Sequence, residues 1–420
     1  MTETKEIRKY QAKQIYASLD QDDQSFHVID NGVVTVRDGV VVEVGKLKSP
    51  SSDVTDLGEV ALIPGLTNAH THLEFSCLEQ PLGNRGMAFT DWLKLVIAWR
   101  FESLTTAAKR TEAIRTGIAE SQSAGTVAIG EIGNLPFENA AYKSELDCVL
   151  FLERLTRNHE REPLVIGECV QFLGSVDHEP DPSSKDSSSI TRAISPHAPY
   201  SVGLSLLKRL VLQSQKTQCP VAMHLAETRE ELELISNQSG PFVDFLQSIG
   251  AWFLETYEQG QTILDYLNIL AESPRSLVVH GNYLSKPEIE FIAGHRDSMS
   301  VVYCPRTHAY FDHDKYPLHE LLNAGINVAV GTDSRASNPD LSVFDELKFV
   351  KQAFEDLSDK QILKLGTANG VQGLGVASSL GTIQAGTKLN FNVVTGADGG
   401  SLFVESSKLV PMSDYARVCE

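Results

Sequence analysis

Paired cysteines, a basic excess and long apolar runs are all missing from this chain. Its six cysteines, Cys77, Cys148, Cys169, Cys219, Cys304 and Cys419, are scattered through 420 residues with no C-x-x-C pair. They read as reduced, mostly buried thiols of a cytosolic protein rather than a disulfide framework. Lys and Arg number 36 against 55 Asp and Glu, a formal net charge of −19. That argues against a non-specific nucleic-acid binder and offers no polybasic handle for acidic lipid. It leaves room for a small anionic substrate held by a few local arginines. No apolar run approaches the ~18 residues of a membrane span. The first stretch, "MTETKEIRKYQAKQIYA", is charged and has no apolar centre, so it does not read as a secretory signal. A soluble, cytoplasmic protein is expected, without nucleic-acid or membrane partners.

A G-x-G-x-x-G after an early strand is also missing, which weakens a doubly wound sheet. What is present is a long alternation. Short apolar runs occur at 126–133, 164–174, 191–201, 219–228, 276–284, 299–308 and 326–334, after an opening run that begins "ALIPGLTNAHTHLEFS" at 61. Helix-like stretches, such as "DWLKLVIAWRFESLTTAAKRTEAIRTGIAES" and "PEIEFIAGH", lie between most of them. Strand–helix alternation implies parallel βαβ units, and eight of them fit an α/β fold of the (β/α)8 TIM-like barrel type over 61–374. Both ends are β-rich. "GVVTVRDGVVVEVGK" alternates valine with polar residues around Asp38-Gly39, a hairpin dipeptide, and "GTIQAGTKLNFNVVTG" repeats the style. A small β-sandwich domain built from 1–60 plus 375–420 is expected. "DHEPDPSSKDSSS" at 177–189 reads as a solvated polar loop.

The polar residues fall at the strand ends. His70 and His72 close the first strand, with Glu74 two residues on; His197, His224, His280 and Asp333 close the fourth, fifth, sixth and eighth. In a barrel these ends share one mouth. Residues i and i+2 of a strand face the same way, so His70 and His72 can grip one ion together. Neutral imidazoles with a carboxylate suit a borderline divalent cation such as zinc or iron. Taken singly, each residue has a plainer account: a lone H-x-H is weak, His197 or His280 alone reads as a satisfied structural histidine, and Asp333 could cap a helix. Their regular order at successive apolar strand ends is what points to a metal site. His27, His159, His178, His295, His313 and His319 fall in loops or helices and read as surface residues.

"PGLTNAHTH", "HLAET", "VVHGNYL" and "VGTDS" together resemble the amidohydrolase superfamily, in its aminohydrolase branch. The resemblance covers nearly the whole chain. It implies a hydrolase with metal ligands His70, His72, His224 and Asp333. Binuclear members carry a bridging lysine on the fourth strand; "TRAISPHAPYS" has none, so one divalent metal is expected, zinc first, with iron or manganese as alternatives. The resemblance assigns Glu227, three residues beyond His224, the proton shuttle. His280 would hold the nucleophilic water, and Asp333 would also accept its proton. As a plainer role, Glu227 could be a first-turn helix glutamate. A cytidine-deaminase-type H-x-E site needs a downstream P-C-x-x-C, which is absent, so Glu74 is not the shuttle by that route. It either reaches substrate or forms a buried ion pair.

By the same resemblance, His197 contacts substrate and Trp92 stands where relatives place an aromatic against a nucleoside. Packing inside its own helix is the plainer account of Trp92. "CPRTHAY" departs from the C-P-x-S-N of many relatives, with His308 in place of the asparagine. Arg306, Arg85 and Arg335 could bring positive charge near the mouth and pair with a substrate carboxylate; for each, solvated surface arginine is the alternative. "NAHTHLEFS", "DWL" and "CPRTHAYF" look most like a subgroup that deaminates 6-amino-6-deoxyfutalosine, on the alternative menaquinone route. Methylthioadenosine/S-adenosylhomocysteine or guanine deaminase and an s-triazine-type chlorohydrolase are the other enzyme readings, and a non-catalytic barrel scaffold is a distant one. The expected partner is a small-molecule substrate, and a homodimer stays open.

Overall fold

Eight parallel strands follow one another in chain order around a single axis in the computed structural model. The structure describes residues 7–20, 25–46, 53–136, 138–175, 190–257, 260–397 and 401–419. The strands are β1 (Leu66–Thr71), β2 (Thr126–Gly133), β3 (Asp147–Arg154), β4 (Ile190–Pro196), β5 (Val221–Leu225), β6 (Ser276–His280), β7 (Met299–Tyr303) and β8 (Asn327–Val330). Side chains close the ring between first and last. Asn68 donates to the Thr332 hydroxyl at 2.8 Å and accepts the Thr332 N–H at 3.0 Å, and the Thr71 hydroxyl donates to the Asp333 carbonyl. Successive residues alternate layers. Leu277 and Val279 of β6 join a small inner core with Ala69, Ala193, Ala222 and Ala329, while Val278 joins the large core under the outer helices.

One of the expected strands is a helix. Residues 164–174 lie in Glu162–Gly174, where Val165, Cys169 and Phe172 are buried at spacings of four and three. That is a helical period, and eleven residues is long for a strand. The third strand is instead "DCVLFLER", Asp147–Arg154, absent from the sequence reading. The long stretch after β1 is two helices, Phe89–Ser103 and Ala107–Ser123. They divide where Thr106 caps the second by accepting the Lys109 N–H.

The chain ends share a second, mostly antiparallel sheet of seven strands. Ile7–Leu19 pairs with Phe26–Arg37, which turns through Asp38 and Gly39, both left-handed at φ 51° and 77°, into Val40–Lys46. Ala61–Pro64 lies between Ile7–Leu19 and Phe391–Thr395. The apolar run at 61 therefore belongs to this sheet, and the barrel starts at Leu66 rather than at the expected 61. Gly65 makes the crossing: a Cβ there would lie 2.3 Å from Val127 and 2.7 Å from the Asn390 carbonyl. The polar segment 177–189 lies outside the described residues, and among those residues no helix is long and apolar enough to cross a membrane.

Candidate metal centre and active site

His70, His72, His224, His280 and Asp333 meet inside the C-terminal mouth of the barrel, all of them buried. One ring nitrogen each of His70, His224 and His280 lies within 4.8 Å of the others, and His70, His72 and Asp333 form a second such group. Asp333 Oδ1 stands 3.7 Å from His70 Nε2 and 3.6 Å from His72 Nε2. His72 Nε2 and His224 Nε2 are 3.3 Å apart. Burial first, then neighbouring imidazoles, pushes His72 well below its ordinary pKa and His224 down to about 3. His280 is also pushed down, by burial. Each of these shifts favours the neutral ring, and among the described residues neither His70 nitrogen has a hydrogen-bond partner. Lone pairs facing one another without protons between them are what a borderline divalent cation satisfies. The His224 Nδ1 lies 2.9 Å from the His197 carbonyl, which fixes its proton there and leaves Nε2 for the centre. The residues present therefore fit a metal.

Strained backbone aims several of these groups. Ala226, His280 and Asp333 are left-handed at φ 52°, 69° and 57°. Strand alternation would send His280 to the outer layer; its left-handed turn brings the ring to 5.5 Å from that of His224, stacked at 26°. Glu227 follows Ala226 and precedes Thr228, which caps the helix Arg229–Asn237, so it stands before that helix and not in its first turn. Glu231 in the helix accepts the N–H groups of Ala226 at 2.8 Å and Glu227 at 3.1 Å. Asn282 donates to the Glu227 carbonyl. The loop is thus clamped, with Glu227 Oε1 3.4 Å from His280 Nε2. Burial, then the charges of Asp333 and Glu231, raises the Glu227 pKa well above the carboxylate range. A carboxylic acid held protonated can give a proton away.

On the other side of His224 the structure adds residues that the sequence reading left out. Glu153 ends β3 and is buried. Its Oε2 accepts from Asn134 at 2.9 Å, while Oε1 has no hydrogen-bond partner and lies 3.8 Å from His197 Nε2. Burial opposes its ionisation, but His197 and Arg100, followed by His72 and His224, hold its pKa below the ordinary value. Glu153, His197 and His224 also bring ligand atoms within 4.8 Å of one another. That trio cannot hold a second ion beside the first, because the one free nitrogen of His224 already faces His72. His197 is set by Ser201, 2.7 Å from its Nδ1, and its loop is pinned by Arg157, which donates to the Pro199 and Thr256 carbonyls under the Tyr257 ring.

The remaining expected contacts are placed differently. Glu74 forms the buried ion pair: Arg100 Nη2 lies 2.5 Å and Arg110 Nε 3.3 Å from its oxygens, so the substrate role is not what its geometry serves. Arg306 is committed to the protein, with Nε on Glu346 at 2.6 Å and both Nη atoms on Asp340. Arg335 is held by the Leu78 carbonyl and by Glu120 at 2.6 Å. Arg85 is exposed and pairs with Asp312. All three expected carboxylate binders are thus engaged by the protein itself. Trp92 packs against Phe89 and Phe311 and donates its indole N–H to the Ala336 carbonyl. His308 is buried with Nε2 unpartnered, its ring 5.4 Å from that of His313, which the sequence reading had left on the surface.

A parallel eight-stranded barrel with an imidazole–carboxylate centre at its mouth defines a class of hydrolases. A model of the amidohydrolase family matches residues 61–408, and the chain belongs to that family. It is a hydrolytic enzyme of that family. Among curated proteins it is similar to a 5-methylthioadenosine/S-adenosylhomocysteine deaminase of Pyrococcus furiosus, 28% identical over 83% of this chain and 78% of the relative. It is also similar to an adenosine deaminase of Helicobacter pylori, 28% identical over 76% and 75%. Its fold matches that of Helicobacter pylori aminofutalosine deaminase with a TM-score of 0.74 at 23% identity, covering 96% and 97% of the two chains. An adenosine deaminase of Xanthomonas campestris with bound zinc gives 0.70 at 22% identity, over 94% and 87%.

Proposed function

We infer that this chain is a metal-dependent deaminase that hydrolyses the amine from an adenine-type nucleoside. The observation that carries the reading is the clamped Glu227, its Oε1 3.4 Å from His280 Nε2, at the edge of the cluster of imidazoles and Asp333. The deaminase relatives support it. His70, His72, His224 and Asp333 would hold one divalent metal, zinc first. When bound, that metal supplies an acidified water as the nucleophile at neutral pH. The chain's own groups handle the protons. Glu227 delivers one to the ring nitrogen next to the attacked carbon, His280 fixes the position of the water, and Asp333 takes the water's proton. The second proton passes to the amine, which leaves as ammonia, and the ring keeps a carbonyl. Glu227 gives and regains a proton within one turnover, and burial with the neighbouring charges favours its protonated form at the start.

Within the class we place 6-amino-6-deoxyfutalosine first, on the "HTHLEFS" and "CPRTHAYF" motifs. The similarity to methylthioadenosine/S-adenosylhomocysteine deaminases favours those nucleosides as a second reading. The test is ammonia release over 6-amino-6-deoxyfutalosine, methylthioadenosine, S-adenosylhomocysteine, adenosine, guanine and a triazine. The highest kcat/KM is expected on an adenine nucleoside; turnover confined to guanine or the triazine would overturn the reading.

A further inference from the structure

We propose that Glu153 determines specificity by accepting a hydrogen bond from a sugar hydroxyl of the nucleoside. The inference rests on the adenine-nucleoside reading above and deepens it. Glu153 is 2% exposed, and one of its oxygens is left without a donor although the other is met by Asn134 at 2.9 Å. A buried carboxylate oxygen without a protein donor is costly, and such an atom is met by water, an ion or a bound ligand. The nearest protein donors fall short: His197 Nε2 is 3.8 Å from the open oxygen, and Arg100 Nη2 is 4.0 Å from the other one. Arg100 is instead committed to Glu74.

The chemistry of the substrate decides which donor fits. An adenine ring offers acceptors at its ring nitrogens, and its one donor is the 6-amino group. That amine belongs at the reacting end, by Glu227 and His280 on the loops of β5 and β6. Glu153 ends β3 and opens beside His197 of β4, on the opposite side of His224 from His280. Away from the amine, the donors that every adenine nucleoside carries are the sugar hydroxyls. An anionic acceptor discriminates strongly, because a substrate lacking the hydroxyl leaves the carboxylate buried and unpaired.

The test compares adenosine, 2′-deoxyadenosine and 3′-deoxyadenosine as substrates of the metal-loaded wild type and of Glu153→Gln, with metal content measured alongside. The wild type should lose about 100-fold or more in kcat/KM on at least one deoxynucleoside. In Glu153→Gln, adenosine should fall while that preference shrinks to within about threefold, with metal content unchanged. A wild type that uses all three nucleosides equally overturns the proposal without reference to any variant, and so does a variant that keeps the full preference. Absence of ammonia from every adenine nucleoside would sink the functional reading as well, which separates the two failures.

Discussion

The Arg306 cluster and the Glu153 cluster are both charged, largely withdrawn from solvent and placed near the C-terminal ends of barrel strands, yet one is closed and the other open. Arg306 uses Nε, Nη1 and Nη2 on Glu346 and Asp340, and Glu346 also takes the Arg306 N–H at 2.9 Å and the Asn338 amide. Glu153 has an oxygen near His197 that no donor among the described residues satisfies. Position at a strand end therefore does not by itself mark a substrate contact. Whether the hydrogen-bonding capacity is already used inside the protein does.

The largest effect that sharpens the comparison lies at the open end. Removing the metal with a chelator should abolish ammonia release, and stoichiometric zinc should restore it; metal analysis should find one ion per chain. Glu227→Gln should keep that ion and lose about 10³-fold in kcat, the scale of a proton-transfer group. An active variant would return the shuttle role to another residue.

At the closed end the expected loss is in stability. Arg306→Ala strands the carboxylate of Glu346, which is fully buried, and should cost about 3–5 kcal/mol in denaturant unfolding. It should not change the ratio of kcat/KM between a carboxylated nucleoside and adenosine. A selective loss on the carboxylated substrate would break the distinction between the two clusters.

Glu231 lies between these extremes, because it is closed but uncompensated by any cation. Burial outweighs its bonds to the N–H groups of Glu227 and Ala226 and raises its pKa to about 7. A carboxyl raised above its unfolded value binds more protons when folded. Its contribution is therefore full below about pH 4.3 and is lost as pH rises through 7. Wild type minus Glu231→Gln stability should fall by about 3 kcal/mol between pH 4 and pH 8 in urea unfolding. A difference independent of pH would show that folding does not shift the Glu231 pKa. The smallest effect is expected at Arg229, exposed and paired with Asp314 at 2.6 Å, where alanine should leave the Tm within about one degree.

Much of this architecture was legible in the sequence, and the losses have physical causes. His70, His72, His224, His280 and Asp333 were found because each follows an apolar strand run, and the fold brings all five together. Glu153 escaped because its strand did. "DCVLFLER" is a short apolar run, and the longer apolar run at 164–174 was read as the strand in its place, although its buried residues recur at helical spacing. Weighing the length of that run and its period of three to four would have moved the strand upstream and exposed the glutamate. The arginines failed for a different reason. A sequence shows that Arg306 follows β7 but not that Glu346, forty residues later, returns on a helix to claim it. Glu74 was left with two open roles for the same cause, since Arg100 and Arg110 lie on two different helices.

The left-handed backbone at Ala226 bears on how this enzyme could be modified. An alanine held at φ 52° costs about 1 kcal/mol that glycine would not, so Ala226→Gly is a substitution a thermostability screen would favour. The same glycine would let the segment carrying Glu227 wander from His280. Selection for heat resistance alone would then drift toward proteins that survive longer and turn over more slowly. Selection for turnover would retain the strained alanine and accept a lower melting point.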